Sequence, residues 1–333
     1  MFNPGPRNLL TDVAGLRVGN ASDEKLKSGV TVVVCDAPTI ASVQVLGGAP
    51  GTRDTDLLEP HNTVETVHSI VLSGGSAYGL DAASGVQAAL REKGIGFNVA
   101  GHIVPIVPTA ILFDLANGGD KDWGRFPPYR DLGYEAVQNA VCDFAIGTVG
   151  AGTGATTATV KGGLGSASTV LESGVTVAAL VAVNAVGSAT IGCSRHFWAA
   201  PFEIDSEFGG LGFPHPLPEG ATDILIKTRQ PAANTTIAVI ATDAILTKAA
   251  AKRLAISAHD GFARAIWPSH TPMDGDLIFG LATGASGLAL SGNDVIDLYA
   301  AAAATMSRAI ARGVHAAKPA AGDLLPAWSS LQI

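Results

Sequence analysis

The sequence predicts an α/β (α+β) protein built as a four-layer αββα sandwich, and three observations carry that expectation. Short apolar runs bounded by Gly, Pro or polar residues are interspersed with longer segments of helical period, so sheet and helix must share a core. Several runs are apolar at consecutive positions, and a strand apolar on both faces has to be covered on both. Forty glycines against 6% aromatics point to layers that approach closely through small residues. Two stacked sheets with helices on the outside meet all three conditions.

Taken in order, residues 31–35 (TVVVC), 69–72, 175–183, 223–226 and 236–241 read as strands, since each is short, apolar and bounded by turn-forming or polar residues. Helical patterns cover 78–91, 133–141, 245–266 and 294–311. In the last, Val295, Tyr299, Ala302, Met306 and Ile310 recur on one face at three-to-four spacing. No linker of Pro, Ser or charge repeats divides the 333 residues, so a single domain is expected. The Pro-rich stretch 213–219 and the Asn-Gly-Gly-Asp loop at 117–120 read as surface excursions.

The formal charge of −8, the pI near 5.4 and the lack of any cluster of five or more Lys/Arg remove nucleic acid as an expected partner. The start, Met-Phe-Asn-Pro-Gly-Pro-Arg, lacks a basic segment followed by an apolar run, and a cytoplasmic protein is expected. The apolar stretch 175–193 is broken by Asn184, Gly187 and Ser188, which fits a buried strand and no membrane span. Cys35, Cys142 and Cys193 have neither disulfide-framework nor zinc spacing and are expected to be buried thiols.

Two Gly-rich segments, Ser73-Gly-Gly-Ser-Ala-Tyr-Gly and Gly147-Thr-Val-Gly-Ala-Gly-Thr-Gly, lack the spacing or the Lys-Ser/Thr ending of a phosphate loop. Their backbone N–H groups suit an oxyanion, or the glycines serve close packing alone. The pair Asn234-Thr235 follows Gln-Pro-Ala-Ala, which in isolation is a turn entering a strand, and it matches a glycosylation sequon. Asp274-Gly-Asp276 places two carboxylates on one face of a strand start. Their mutual repulsion suits a proton shuttle, a cation site or a charged strand entrance. No further His or acid stands at metal-motif spacing, so no metal and no cofactor is expected. Asn184 is an amide in an apolar strand, either an oxyanion donor or a structural group bonded to backbone. Lys161, between a Thr-rich run and Gly162-Gly163, is a loop charge or an active-site cation.

In their joint order, Leu10-Thr-Asp-Val-Ala-Gly-Leu-Arg-Val-Gly, Leu72-Ser-Gly-Gly-Ser-Ala-Tyr-Gly-Leu, the stretch 151–161, Asn234-Thr-Thr-Ile and Met273-Asp-Gly-Asp resemble the DmpA-type family of self-processing aminopeptidases. That family includes β-aminopeptidases and the nylon-oligomer hydrolase NylC, and the Asn-Thr junction with Asp-Gly-Asp looks closer to NylC. The resemblance spans nearly the whole chain. It implies an αββα sandwich shared with the ornithine acetyltransferases, and cleavage into chains 1–234 and 235–333 that stay together. By local motif it places Thr235 as N-terminal nucleophile with Tyr78, Lys161, Asn184, Asp274 and Asp276 around it.

In that scheme the freed α-amine, of reference pKa about 7.7–8.0, acts as general base and Lys161 keeps it neutral. Asn184 holds the oxyanion, while Asp274 and Asp276 orient the amine and relay protons. Tyr78 positions substrate or is a buried structural ring. Expected substrates are small peptides, α- or β-aminoacyl amides or esters, or aminohexanoate oligomers, acted on by a homotetramer of cleaved heterodimers. The alternatives are an ornithine-acetyltransferase-like acyltransferase and a non-catalytic binding protein of the same fold.

Overall fold

The computed structural model describes residues 3–227 and 234–331. The Gln-Pro-Ala-Ala turn expected at 230–233 lies outside the described residues. In chain order the elements are β1 (Leu16–Asp23), β2 (Ser28–Val45), β3 (Thr52–Arg53), β4 (Thr66–Ser73), α1 (Ala82–Glu92), β5 (Phe97–Val99), β6 (His102–Val104) and β7 (Thr109–Ile111). They continue with α2 (Tyr129–Gln138), β8 (Gly163–Val170), β9 (Thr176–Val183), β10 (Ile237–Thr242), α3 (Lys248–Ala265), β11 (Leu277–Ala282) and α4 (Asn293–His315).

The hydrogen-bonded order is β3-β7-β4-β2-β11-β10-β9-β8, with β1 antiparallel to β2 and β5–β6 a separate hairpin. Strand β2 joins the two halves. Its first part pairs with β1 and β4, the register shifts between Val34 and Thr39, and Ile40–Val45 then pairs with β11. Side-chain alternation then sorts residues into three cores. Val30, Val32 and Val34 face α1 and α2, whereas Val33, Cys35, Ala41 and Val43 face inward. Leu180, Ile237, Val239, Leu277 and Phe279 meet them from the other half. Val177, Ala179, Val181 and Ile240 point the opposite way, onto α3 and α4. One core between each adjacent pair of layers gives the expected αββα sandwich.

Small residues set the layer spacing. A Cβ on Gly165 of β8 would lie 1.9 Å from the Ala309 carbonyl oxygen of α4, and one on Gly280 of β11 would lie 2.2 Å from that of Ala251 in α3. Among the described residues no helix is long and apolar enough to cross a membrane, and 175–193 contains the buried strand β9.

Some expectations need correction. Residues 223–226 form no strand: Ile224 is 65% exposed and the segment is turn and coil. The 78–91 helix divides into a 3-10 segment, Ser76–Asp81, and α1. Helix α2 lies about four residues earlier than its pattern suggested. Helix α3 starts at Lys248, where the Thr247 hydroxyl accepts the Ala250 N–H at 3.2 Å, a capping contact that outweighs the apolar residues at 245 and 246. Of the three thiols only Cys35 is buried; Cys142 and Cys193 are exposed.

Candidate active site at the strand ends

Strand β9 runs antiparallel to β10, and β10 parallel to β11, with Ile237 opposite both Ala182 and Leu277. The residue leaving β9 and those entering β10 and β11 therefore meet at one end of the sheet. These are Asn184, Asn234-Thr235 and Asp274-Gly-Asp276, and all but the glycine are polar residues no more than 3% exposed. Burial of that many polar side chains is tolerated only where each finds partners.

Backbone contacts hold the junction. The Thr235 N–H donates to the Asn184 carbonyl at 3.0 Å, and the Asn234 N–H to that of Met273 at 3.2 Å. The Asn234 carbonyl oxygen accepts the Gly275 N–H at 2.9 Å and the Thr235 hydroxyl at 2.5 Å. Gly275 has to be glycine, because a Cβ there would sit 2.7 Å from Thr235 Oγ1 and 2.6 Å from the Ala49 oxygen. A hydroxyl thus rests against the carbonyl that precedes it, and that carbonyl already has an N–H donor placed as an oxyanion donor would be.

Asp274 accepts the Val186 N–H at 3.1 Å and the Thr271 hydroxyl at 2.8 Å. Burial, and then the charge of Asp276, push its carboxyl up to about 6. Asp276 accepts the Thr236 N–H at 2.8 Å through one oxygen and the His270 N–H at 3.1 Å through the other, which also lies 2.9 Å from His270 ring Nδ1. The two carboxylates are thus differently held, one by neutral donors and one by an imidazole.

Asn184 departs from the expected oxyanion role. Its Nδ2 donates to the Phe113 carbonyl at 2.8 Å, and its Oδ1 accepts the Thr156 N–H and Lys227 Nζ, each at 3.0 Å. Here it is the backbone carbonyl of Asn184 that touches Thr235. Lys227 was missed by the sequence reading, since Ile-Lys-Thr-Arg looks like a solvated run. Its amine is turned inward, and desolvation lowers it to about 7 against the pull of Asp274 and Asp114.

Lys161 is buried but pairs with Asp323 at 2.6 Å, an ion pair that Lys27 shares at 3.0 Å. Its connection to the junction runs through the bridge from Lys161 to Thr156, whose N–H reaches Asn184. Tyr78 is 54% exposed, with its ring edge-on to Trp123 at 5.4 Å. The buried-ring alternative is therefore wrong, and among the described residues no hydrogen bond or ring contact joins Tyr78 to Thr235.

The Gly-rich segments are also largely self-satisfied. The N–H of Gly74 goes to Gly29, that of Gly75 to the Asp114 carboxylate at 2.7 Å, and that of Ser76 to Leu112. Those of Gly150 and Ala151 go to the Ser22 and Thr31 hydroxyls. A carboxylate sits where a phosphate would have to bind, and the N–H that meets the Asn234 carbonyl is that of Gly275 instead.

The family model described as Peptidase family S58 matches residues 8–324. An uncharacterized aminopeptidase of Mycobacterium tuberculosis (strain ATCC 25618 / H37Rv) is 44% identical, covering 95% of this chain and 96% of its own. A 6-aminohexanoate-oligomer endohydrolase of Kocuria sp. (strain KY2) is 29% identical over 84% of this chain and 76% of its own. Among solved structures, a Burkholderia sp. β-aminopeptidase superposes with a TM-score of 0.71 at 23% identity, covering 98% of this chain and 92% of its own. The L-aminopeptidase D-Ala-esterase/amidase of Ochrobactrum anthropi, described as a variant of the Ntn hydrolase fold, gives 0.69 at 22%, with the same coverage.

Proposed function

Because this chain belongs to peptidase family S58 and is a hydrolase of amide bonds, we propose that it cuts its own Asn234–Thr235 bond and then works through Thr235 as N-terminal nucleophile. The observation that carries the proposal is the Asn234 carbonyl held between the Gly275 N–H at 2.9 Å and the Thr235 hydroxyl at 2.5 Å.

In self-cleavage Thr235 Oγ1 attacks the Asn234 carbonyl carbon, and the Gly275 N–H stabilises the oxyanion, an interaction worth roughly 3–4 kcal/mol in comparable sites. The C–N bond breaks, the hydroxyl proton ends on the departing Thr235 nitrogen, and water opens the resulting ester to an Asn234 carboxylate. Asp274, raised to about 6, exchanges protons near neutrality. The freed α-amine stays on the Asn184 carbonyl that its N–H already meets at 3.0 Å, and there it serves as base for the Thr235 hydroxyl.

In turnover the same oxygen takes the acyl group of a foreign amide, the amine leaves with a proton, and water regenerates Thr235. The substrate reading is an N-terminal aminoacyl amide or small peptide, supported by the aminopeptidase relatives matched along almost their full length. An aminohexanoate-type oligomer is the second substrate reading, supported by the endohydrolase similarity. We also read the working form as a cytoplasmic tetramer of cleaved heterodimers, which light scattering of the purified protein tests directly.

Denaturing electrophoresis tests the cleavage. Scaling 33.6 kDa by chain length gives fragments of about 24 and about 10 kDa, and Thr235→Ala should stay a single full-length band. An active wild-type protein that never shows the fragments would overturn the proposal. Release of amino product from aminoacyl amides and from aminohexanoate oligomers, compared side by side, separates the two substrate readings.

A further inference from the structure

A chain of hydrogen bonds runs away from the junction into the layer beneath α3, and its direction is fixed by its far end. His259 of α3 is buried, with Nε2 3.0 Å from the Gln44 carbonyl oxygen of β2 and Nδ1 3.3 Å from His270 Nε2. His270 precedes β11 with φ +54°, a left-handed backbone uncommon for a side-chain-bearing residue. Its ring is stacked on Phe262 at 5.5 Å. Its Nδ1 lies 2.9 Å from Asp276 Oδ2.

A carbonyl oxygen only accepts, so the hydrogen of a neutral His259 is on Nε2 and its Nδ1 is an acceptor. Burial, which lowers the His259 imidazole to about 4, keeps that ring neutral near pH 7. The hydrogen between the two rings therefore belongs to His270 Nε2. A bare His270 Nδ1 facing a carboxylate oxygen at 2.9 Å would be two acceptors in contact, so a hydrogen lies there as well. Whether it is bonded to nitrogen or to oxygen, the pair holds one proton more than a carboxylate and a neutral imidazole would.

We propose that Asp276 and His270 hold a common proton at neutral pH, dictated by His259 and the Gln44 carbonyl, and that His270 is thereby a positioning residue that cancels the Asp276 charge beside Asp274. The proposal rests on the reading of Asp274 and Thr235 as the working site. His270 fixes the Asp276 carboxyl at two points, its backbone N–H and its ring, and leaves the other oxygen for the Thr236 N–H. Asp274 then titrates against its burial, with the Lys227 amine facing it from the segment before the junction. Burial and the full charge of Asp276 together are what push Asp274 up to about 6; the shared proton takes the second away and leaves burial.

The direct test is nitrogen NMR of the 15N-histidine-labelled Thr235→Ala protein at pH 7. The expected result is His259 carrying hydrogen on Nε2 alone and His270 carrying it on Nε2, with Nδ1 either protonated or accepting from a protonated Asp276. Hydrogen on Nδ1 alone in both rings overturns the proposal. The functional test follows the rate of self-cleavage against pH in wild type, His270→Asn and His259→Phe. The acidic midpoint should move up by about one pH unit in His270→Asn, and by less in His259→Phe, which keeps the first ring. A uniform drop in rate with an unmoved midpoint overturns the tuning role. The NMR result stands in a protein that never cleaves, so failure of the self-cleavage reading and failure of the shared proton are told apart.

Discussion

Gly275 is the residue on which the geometry of the junction turns. Its N–H is the donor on the Asn234 carbonyl, and a Cβ in its place would crowd Thr235 Oγ1 at 2.7 Å. Gly275→Ala should leave the chain folded yet slow conversion of the full-length band by 100-fold or more, the order lost when an oxyanion donor is displaced; a time course on a denaturing gel reads it. Lys227 gives a second residue-level prediction. Its folded amine titrates near 7 and its unfolded one near 10.5, so between those values the unfolded chain binds more protons and wild-type stability rises with pH. The slope is at most about 1.4 kcal/mol per pH unit. Lys227→Met should lose that rise in urea titrations between pH 7 and 10, and an unchanged slope would mean that the amine is not held in an apolar setting.

What was legible at this scale is what interrupts an apolar pattern. Asn184 after β9 and the Asp-Gly-Asp before β11 stand out because a polar group in such a run needs a reason. Lys227, His259 and His270 do not, because what makes them unusual is the three-dimensional neighbour. His259 is one polar residue on a helix until Gln44 and His270 close around it. The oxyanion donor was sought in the glycine-rich loops, whose N–H groups turn out to be used by Asp114, Ser22, Thr31 and local carbonyls.

Among the elements, β8 and α4 show how closely packing depends on absent side chains. With only 1.9 Å between the Cβ position of Gly165 and the Ala309 oxygen, the helix cannot rest on the strand if that position is filled. Gly165→Val should lower stability by about 2 kcal/mol or more, seen as an earlier urea midpoint at unchanged slope. Strand identity was readable for β2, β4, β9 and β10, where β-branched apolar runs are flanked by turn residues. The run at 223–226 looks the same locally, and what it lacks is a paired neighbour among the described strands. Helix ends were less legible, since a single cap such as Thr247 sets the boundary while the apolar pattern continues past it. The order β2-β11-β10-β9, which brings the site together, has no local signal: it requires strands more than 200 residues apart to pair.

Across the whole molecule, the strands and helices that follow residue 234 are built into the middle and one flank. Strands β10 and β11 lie between β2 and β9, and α3 and α4 cover that half of the sheet. Arg308 of α4, fully buried, binds Glu207 at 2.5 Å, the Ser168 carbonyl at 2.8 Å and Asn8 at 2.9 Å, all on the other side of the proposed cut. The fragments should therefore co-elute in native size exclusion and part only in denaturant. Arg308→Met, which leaves the buried Glu207 carboxylate to Arg312 and the Asn8 amide, should cost about 1.5–3 kcal/mol and move that parting to lower denaturant.

The placement of β10 and β11 also changes what kind of reaction folding is. In the uncut chain the two strands are delivered to their slot by a tether, at an effective concentration set by the length of connecting chain. Once the bond is gone, a denatured protein has to find its other half by collision. Refolding of Thr235→Ala should be first order and indifferent to dilution, whereas the cut protein should recover more slowly and less completely the more dilute it is. The proposed cut form is then the end of a one-way route, reached readily through the precursor and regained with difficulty from its own parts.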